Sequence, residues 1–132
     1  MKYLQTSILF LFLFVACREP EAPPTFATIS VQNAWKAGYV RDNSNIITGL
    51  YNGWRFTFNS DGTLIVNGGG TTMNGTWEEN IAARKILLFI NSSSLPAVFA
   101  SREWDLVFLT PSRIKLADNR FSPVQELYLD KP

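Results

Sequence analysis

Trp54-Arg55-Phe56-Thr57-Phe58-Asn59-Ser60-Asp61-Gly62-Thr63-Leu64-Ile65-Val66 reads as two strands joined by a tight turn. Trp54, Phe56 and Phe58 fall on one face and Arg55 and Thr57 on the other, the period-two alternation of a half-buried strand. Asp61-Gly62 supplies the turn, because glycine takes positive φ without a Cβ clash. Thr63-Leu64-Ile65-Val66 begins the return strand, and Gly68-Gly69-Gly70 ends it as a flexible hairpin tip.

The same alternation extends to both sides. Met73-Asn74-Gly75-Thr76-Trp77-Glu78 reads as a strand, and so does Ile86–Ile90, which is apolar on both faces and is expected centrally or under a loop. Trp104, Leu106 and Phe108 line one side of the next strand. Thr110-Pro111-Ser112 turns into Arg113-Ile114-Lys115-Leu116, and a last strand covers Val124 to Asp130. An earlier strand spans Ala34 to Arg41. Helical periodicity is weak, with Ile81–Lys85 and Leu95–Arg102 as short candidates. About eight short antiparallel strands are therefore expected, in an all-β domain. The first expectation is an up-and-down β-barrel, whose closure removes exposed edges. A two-sheet β-sandwich is the alternative.

The order Trp35…Tyr39, Phe56-x-Phe58-x-x-Asp61-Gly62-Thr63, Gly75-x-Trp77, Leu87-x-Phe89, Trp104-x-Leu106…Leu109-Thr110…Ile114-x-Leu116 and Leu127-x-Leu129 resembles the lipocalin-like domains of small bacterial lipoproteins. The first strand carries Asn33-Ala34-Trp35 where lipocalins often have Gly-x-Trp. The resemblance implies a lipocalin-like barrel with room for an apolar ligand.

The amino terminus has a basic Lys2 and an apolar run, Ile8 to Val15. That run is short of the ~20 residues a spanning helix needs, and it fits a secretory signal over residues 1–16. Phe14-Val15-Ala16-Cys17 resembles the lipobox of bacterial lipoproteins. The resemblance implies cleavage before Cys17 and a thioether from its thiol to diacylglycerol. Each buried CH₂ contributes about 0.8 kcal/mol, so two or three chains hold firmly to a membrane. Arg18 follows in place of the aspartate of inner-membrane lipoproteins, which implies the outer membrane, facing the periplasm or the outside. Residues 17–29, with Pro20, Pro23 and Pro24, are expected as a tether, and residues 30–132 as the domain.

Charge is balanced, with 12 Lys+Arg against 11 Asp+Glu, which argues against nucleic acid as a partner. The chain has no histidine, so a Ser-His-Asp triad is impossible and the commonest metal ligand is missing. The adjacent Glu78 and Glu79 point to opposite faces of a strand, and Asp61 is accounted for by its turn. A Ser-Lys pair stays open, although Lys36, Lys85, Lys115 and Lys131 fall where solvated lysines are expected. No enzyme, cofactor or metal site is expected. The inward aromatic set Trp54, Phe56, Phe58, Trp77, Trp104 and Phe108 either lines a ligand pocket or fills the interior, and its bulk favours filling. Two functions follow: a small apolar ligand held in the barrel mouth, or an envelope protein or glycan bound through loops and exposed aromatics such as Tyr39 and Tyr51.

Overall fold

In a computed structural model, residues 22–132 are described; the signal, Cys17 and residues 18–21 of the tether lie outside the described residues. The domain is all-β, with nine antiparallel strands in one sheet and two short helices, α1 (Phe26–Ser30) and α2 (Leu95–Ala100). The strands are β1 (Lys36–Asp42), β2 (Asn45–Ile46), β3 (Arg55–Phe58), β4 (Thr63–Gly68), β5 (Thr71–Asn80), β6 (Lys85–Ile90), β7 (Glu103–Leu109), β8 (Arg113–Asp118) and β9 (Gln125–Asp130). A single 3-10 turn, Thr48–Tyr51, joins β2 to β3.

Sheet order is β2-β1-β9-β8-β7-β6-β5-β4-β3, so β3 to β9 meander and β1 returns to pair with the last strand. The sheet curls until Trp35, just before β1, bridges Phe56 in β3. Beyond that isolated pair no ladder joins the sheet's two edges among the described residues, so the curl is not closed by continuous strand pairing.

The quoted hairpin forms as read: Phe56 pairs with Val66 and Phe58 with Leu64, and all four are buried. Asp61 holds the turn by accepting from the Thr63 backbone N–H at 2.9 Å, with Gly62 at φ 88°. The alternation fails at one expected place. Between Leu106 and Phe108 the register of β7 against β8 shifts, and this bulge puts both Val107 and Phe108 outside. Phe108 therefore leaves the expected inward set. Ile86–Ile90 is central in the sheet, but only Ile86, Leu88 and Ile90 are buried, with Leu87 and Phe89 exposed. Residues 81–84 form a turn and not a helix, while Leu95–Ala100 is helical.

A second correction concerns the boundary of the tether. Thr25 caps α1, and Phe26 and Ile29 are buried in the core, so residues 26–29 belong to the packed body. Phe26 sets its ring edge-on against Phe58 at 5.2 Å and Trp77 at 5.6 Å. Glu79 accepts from the Phe26 and Ala27 backbone N–H groups, each at 3.0 Å, giving α1's orphan donors a partner. α1 thus plugs one end of the curled sheet.

The two ends differ. At the leader end lie residues 22–25, the turns at 59–62, 81–84 and 110–112, and the end of β9. At the opposite end lie the β1–β2 turn, the 3-10 turn, the Gly69-Gly70 turn, α2 and the β8–β9 turn.

Candidate functional site

Trp54, Phe56, Phe58, Trp77 and Trp104 are brought inside together. They stack on one another and on new partners: Trp54 meets Tyr51 at 5.1 Å and Phe56 at 6.0 Å, Phe58 meets Trp77 at 6.1 Å, and Trp104 meets Phe99 at 5.8 Å. Trp77 and Trp104 donate their indole N–H to the carbonyls of Asn59 and Ala100, each at 2.9 Å. Rings packed edge to face with their polar atoms satisfied are core. These five rings belong to the buried core, and Phe108 does not.

A cleft with mainly apolar walls lies on the outside, at the end opposite the leader. The 3-10 turn and α2 approach each other there, and Tyr51 ties them by donating its hydroxyl to the Pro96 carbonyl at 2.7 Å. Tyr51 is buried, contrary to its expected exposure, and burial pushes its phenol well above the usual tyrosine range. Tyr39 is partly covered by Tyr128, ring to ring at 5.1 Å. Ser101 fixes the end of α2: its hydroxyl donates to the Ala97 carbonyl at 2.7 Å and accepts from the Ile90 N–H at 2.9 Å.

Between these two elements lies a space of about 410 Å³, walled by Ile47, Leu50, Leu95 and Val98 with Phe99, Arg102 and Asp42 at its base. Leu50, Leu95 and Val98 are 53%, 79% and 54% exposed, unusual for residues converging on one place. Walls of this kind take up an apolar group by removing it from water.

The charged base is held by a network. Arg102 donates through Nε to the Phe99 carbonyl at 2.9 Å and through Nη1 to Asp118 at 3.2 Å and to Gln125 Oε1. Its guanidinium also lies 4.6 Å from the Phe99 ring centre and 5.2 Å from that of Trp104. Gln125 passes the chain on, donating Nε2–H to Asp42 at 2.7 Å. Buried Asp118 is gripped again by Arg120, with two contacts of 2.9 Å. The Arg120 hydrogen bonds, with help from Arg102, hold the Asp118 carboxyl down at about 2. The charged groups at the base are thus engaged with one another.

Three of the acids have structural posts. Asp61 serves its turn, Glu79 caps α1, and Asp105 pairs with Lys85 while accepting from Asn119 at 2.9 Å. Among the described residues no three His, Cys, Asp or Glu side chains gather to hold a metal ion. Sequence reasoning missed Leu50, from the 3-10 turn, and Val98 and Arg102, from α2 and the bend that follows it. The available signal was Leu95 to Arg102, a short helical candidate with apolar residues on more than one face.

No family model matches this chain, and no curated protein does. Among solved structures, it is similar to a DUF4847 family protein from Bacteroides vulgatus ATCC 8482, with a TM-score of 0.61 and 13% identity over 82% of this chain and 98% of that one. A likeness at that identity concerns the fold alone.

Proposed function

We propose that this chain is a lipid-anchored lipoprotein of the cell envelope, outer membrane included, whose lipocalin-like domain is a non-enzymatic interaction module. Its cleft between the 3-10 turn and α2 takes an apolar group of an envelope partner. One observation carries the reading: the interior is occupied by aromatic rings, while exposed Leu50, Leu95 and Val98 converge on an external cleft. The leader enters at the other end, so a chain anchored through Cys17 presents the cleft away from its membrane. Phe14-Val15-Ala16-Cys17 and the proline-rich spacer support the anchor.

A photo-crosslinking residue at Val98, in the full chain in its own cells, tests the partner. A discrete protein adduct that Leu50→Asp abolishes is the expected result. A second reading, a free apolar small molecule in the same cleft, is favoured by its volume, within the range of small-ligand sites. Native mass spectrometry separates the two. A co-purified small molecule with no protein adduct overturns the module and establishes the ligand.

A further inference from the structure

We propose that the leader end of the domain is a docking face for the anionic headgroups of the bilayer that holds the anchor. The inference rests on the reading of Cys17 as acylated. Lys36, Arg113, Lys115 and Lys131 surround Phe108 at this end. Val107 and Ile81 stand exposed beside it, in a hollow that also includes Pro23 and Pro24 of the leader. The bulge in β7 is what turns Val107 and Phe108 outward here.

Two acids lie close by, and both are engaged. Asp130 accepts from Arg113 at 2.6 and 3.0 Å, and Glu79 faces the backbone of α1. Among the described residues none of Lys36, Lys115 and Lys131 joins an ion pair. Lys115 lies 5.1 Å from the Phe108 ring centre, so cation and apolar ring form one surface. An apolar tip ringed by lysines matches a headgroup layer, where phosphates meet the cations and the ring reaches the acyl boundary.

Chain length brings the surface to the membrane. A residue spans at most about 3.5 Å, so Cys17 lies within about 20 Å of Pro23. The Pro23 hollow shares Phe108 with the lysine surface. Docking there orients the domain, with the apolar cleft pointing outward.

The mature chain, recovered from membranes, is first weighed intact, which reads the acyl groups alone. A genetically encoded fluorescent residue is then placed at Ser112, in the β7–β8 turn, or at Ser44, in the β1–β2 turn. Each chain is read on phosphatidylcholine vesicles, with and without phosphatidylglycerol, carrying a headgroup quencher. The Ser112 reporter is quenched, more so with phosphatidylglycerol, and the Ser44 reporter is not. Lys36→Glu, Lys115→Glu and Lys131→Glu together return Ser112 to the phosphatidylcholine level, and they weaken vesicle binding of unacylated chain roughly a hundredfold. The matching Lys→Gln triple moves the same way, and near-ultraviolet circular dichroism confirms that both variants fold. Quenching that ignores phosphatidylglycerol, or that is stronger at Ser44, overturns the docking face whatever the mass. A mass without acyl groups, with phosphatidylglycerol-dependent quenching at Ser112, overturns the anchor and leaves the face standing.

Discussion

Trp35 and Phe56 exchange both backbone hydrogen bonds, N–H to carbonyl at 2.8 Å in each direction. This pair joins the start of β1 to β3, the far edge of the sheet. The Trp35 indole, fully buried, also donates to the Ser30 carbonyl at 2.8 Å and so ties in α1. One residue thus joins sheet edge, plug and core.

Trp35→Ala is expected to cost about 3–5 kcal/mol, the range for emptying a large aromatic site. Trp35→Phe keeps most of the volume but strands the Ser30 carbonyl, at a cost of about 1–3 kcal/mol. Urea unfolding of the two variants checks the order. Equal midpoints for the two variants would show that the bulk of Trp35 contributes nothing beyond its hydrogen bond.

Gly75 in β5 faces Ile90 in β6, and a Cβ there would run into the Phe89 carbonyl. Gly75→Ala therefore has to open the β5–β6 ladder. The expected loss is about 1–3 kcal/mol, as for overpacked sites. Amide hydrogen exchange should show Thr76, Trp77 and Phe89 losing protection first.

Asp118 brings a pH dependence of definite sign. Its carboxyl is held at about 2 in the folded state against an ordinary value of 3.8. The unfolded chain binds the proton more readily, so this stabilisation is complete above about pH 4 and is lost as the pH falls toward 2. Arg120 is largely solvent-exposed, which reduces the contribution to roughly 1–2 kcal/mol. Asp118→Asn should flatten the stability curve between pH 4 and 2 relative to the parent, as read by thermal unfolding. An unchanged slope would remove Asp118 from the account.

Cys17→Ala removes the thiol on which a thioether to diacylglycerol would form. The chain is then expected to leave the detergent phase of a partition assay unless its signal stays attached, which intact mass reveals. Parent chain weighing no more than its bare residues from Cys17 onward would remove the anchor.

Alternating residues and turn chemistry carry most of the strand plan. Phe56, Phe58, Leu64, Trp77, Trp104, Ile114, Leu116, Leu127 and Leu129 all point inward as their spacing implies, because in a strand the face of a side chain is set by its own neighbours. The Asp61-Gly62 turn is equally local. Phe108 could not be placed this way, since the bulge that turns it outward arises from how β7 matches β8. Phe26 and Ile29 directly follow a proline-rich run, and only the open end of the sheet gives them apolar surface to cover. The cleft is more distant still from local pattern: Asp42, Leu50, Val98 and Arg102 meet because the curl brings the β1–β2 hairpin and α2 to the same end. Period-two chemistry settles the strands residue by residue, whereas the ends of the sheet, where both candidate surfaces lie, depend on contacts between segments dozens of residues apart.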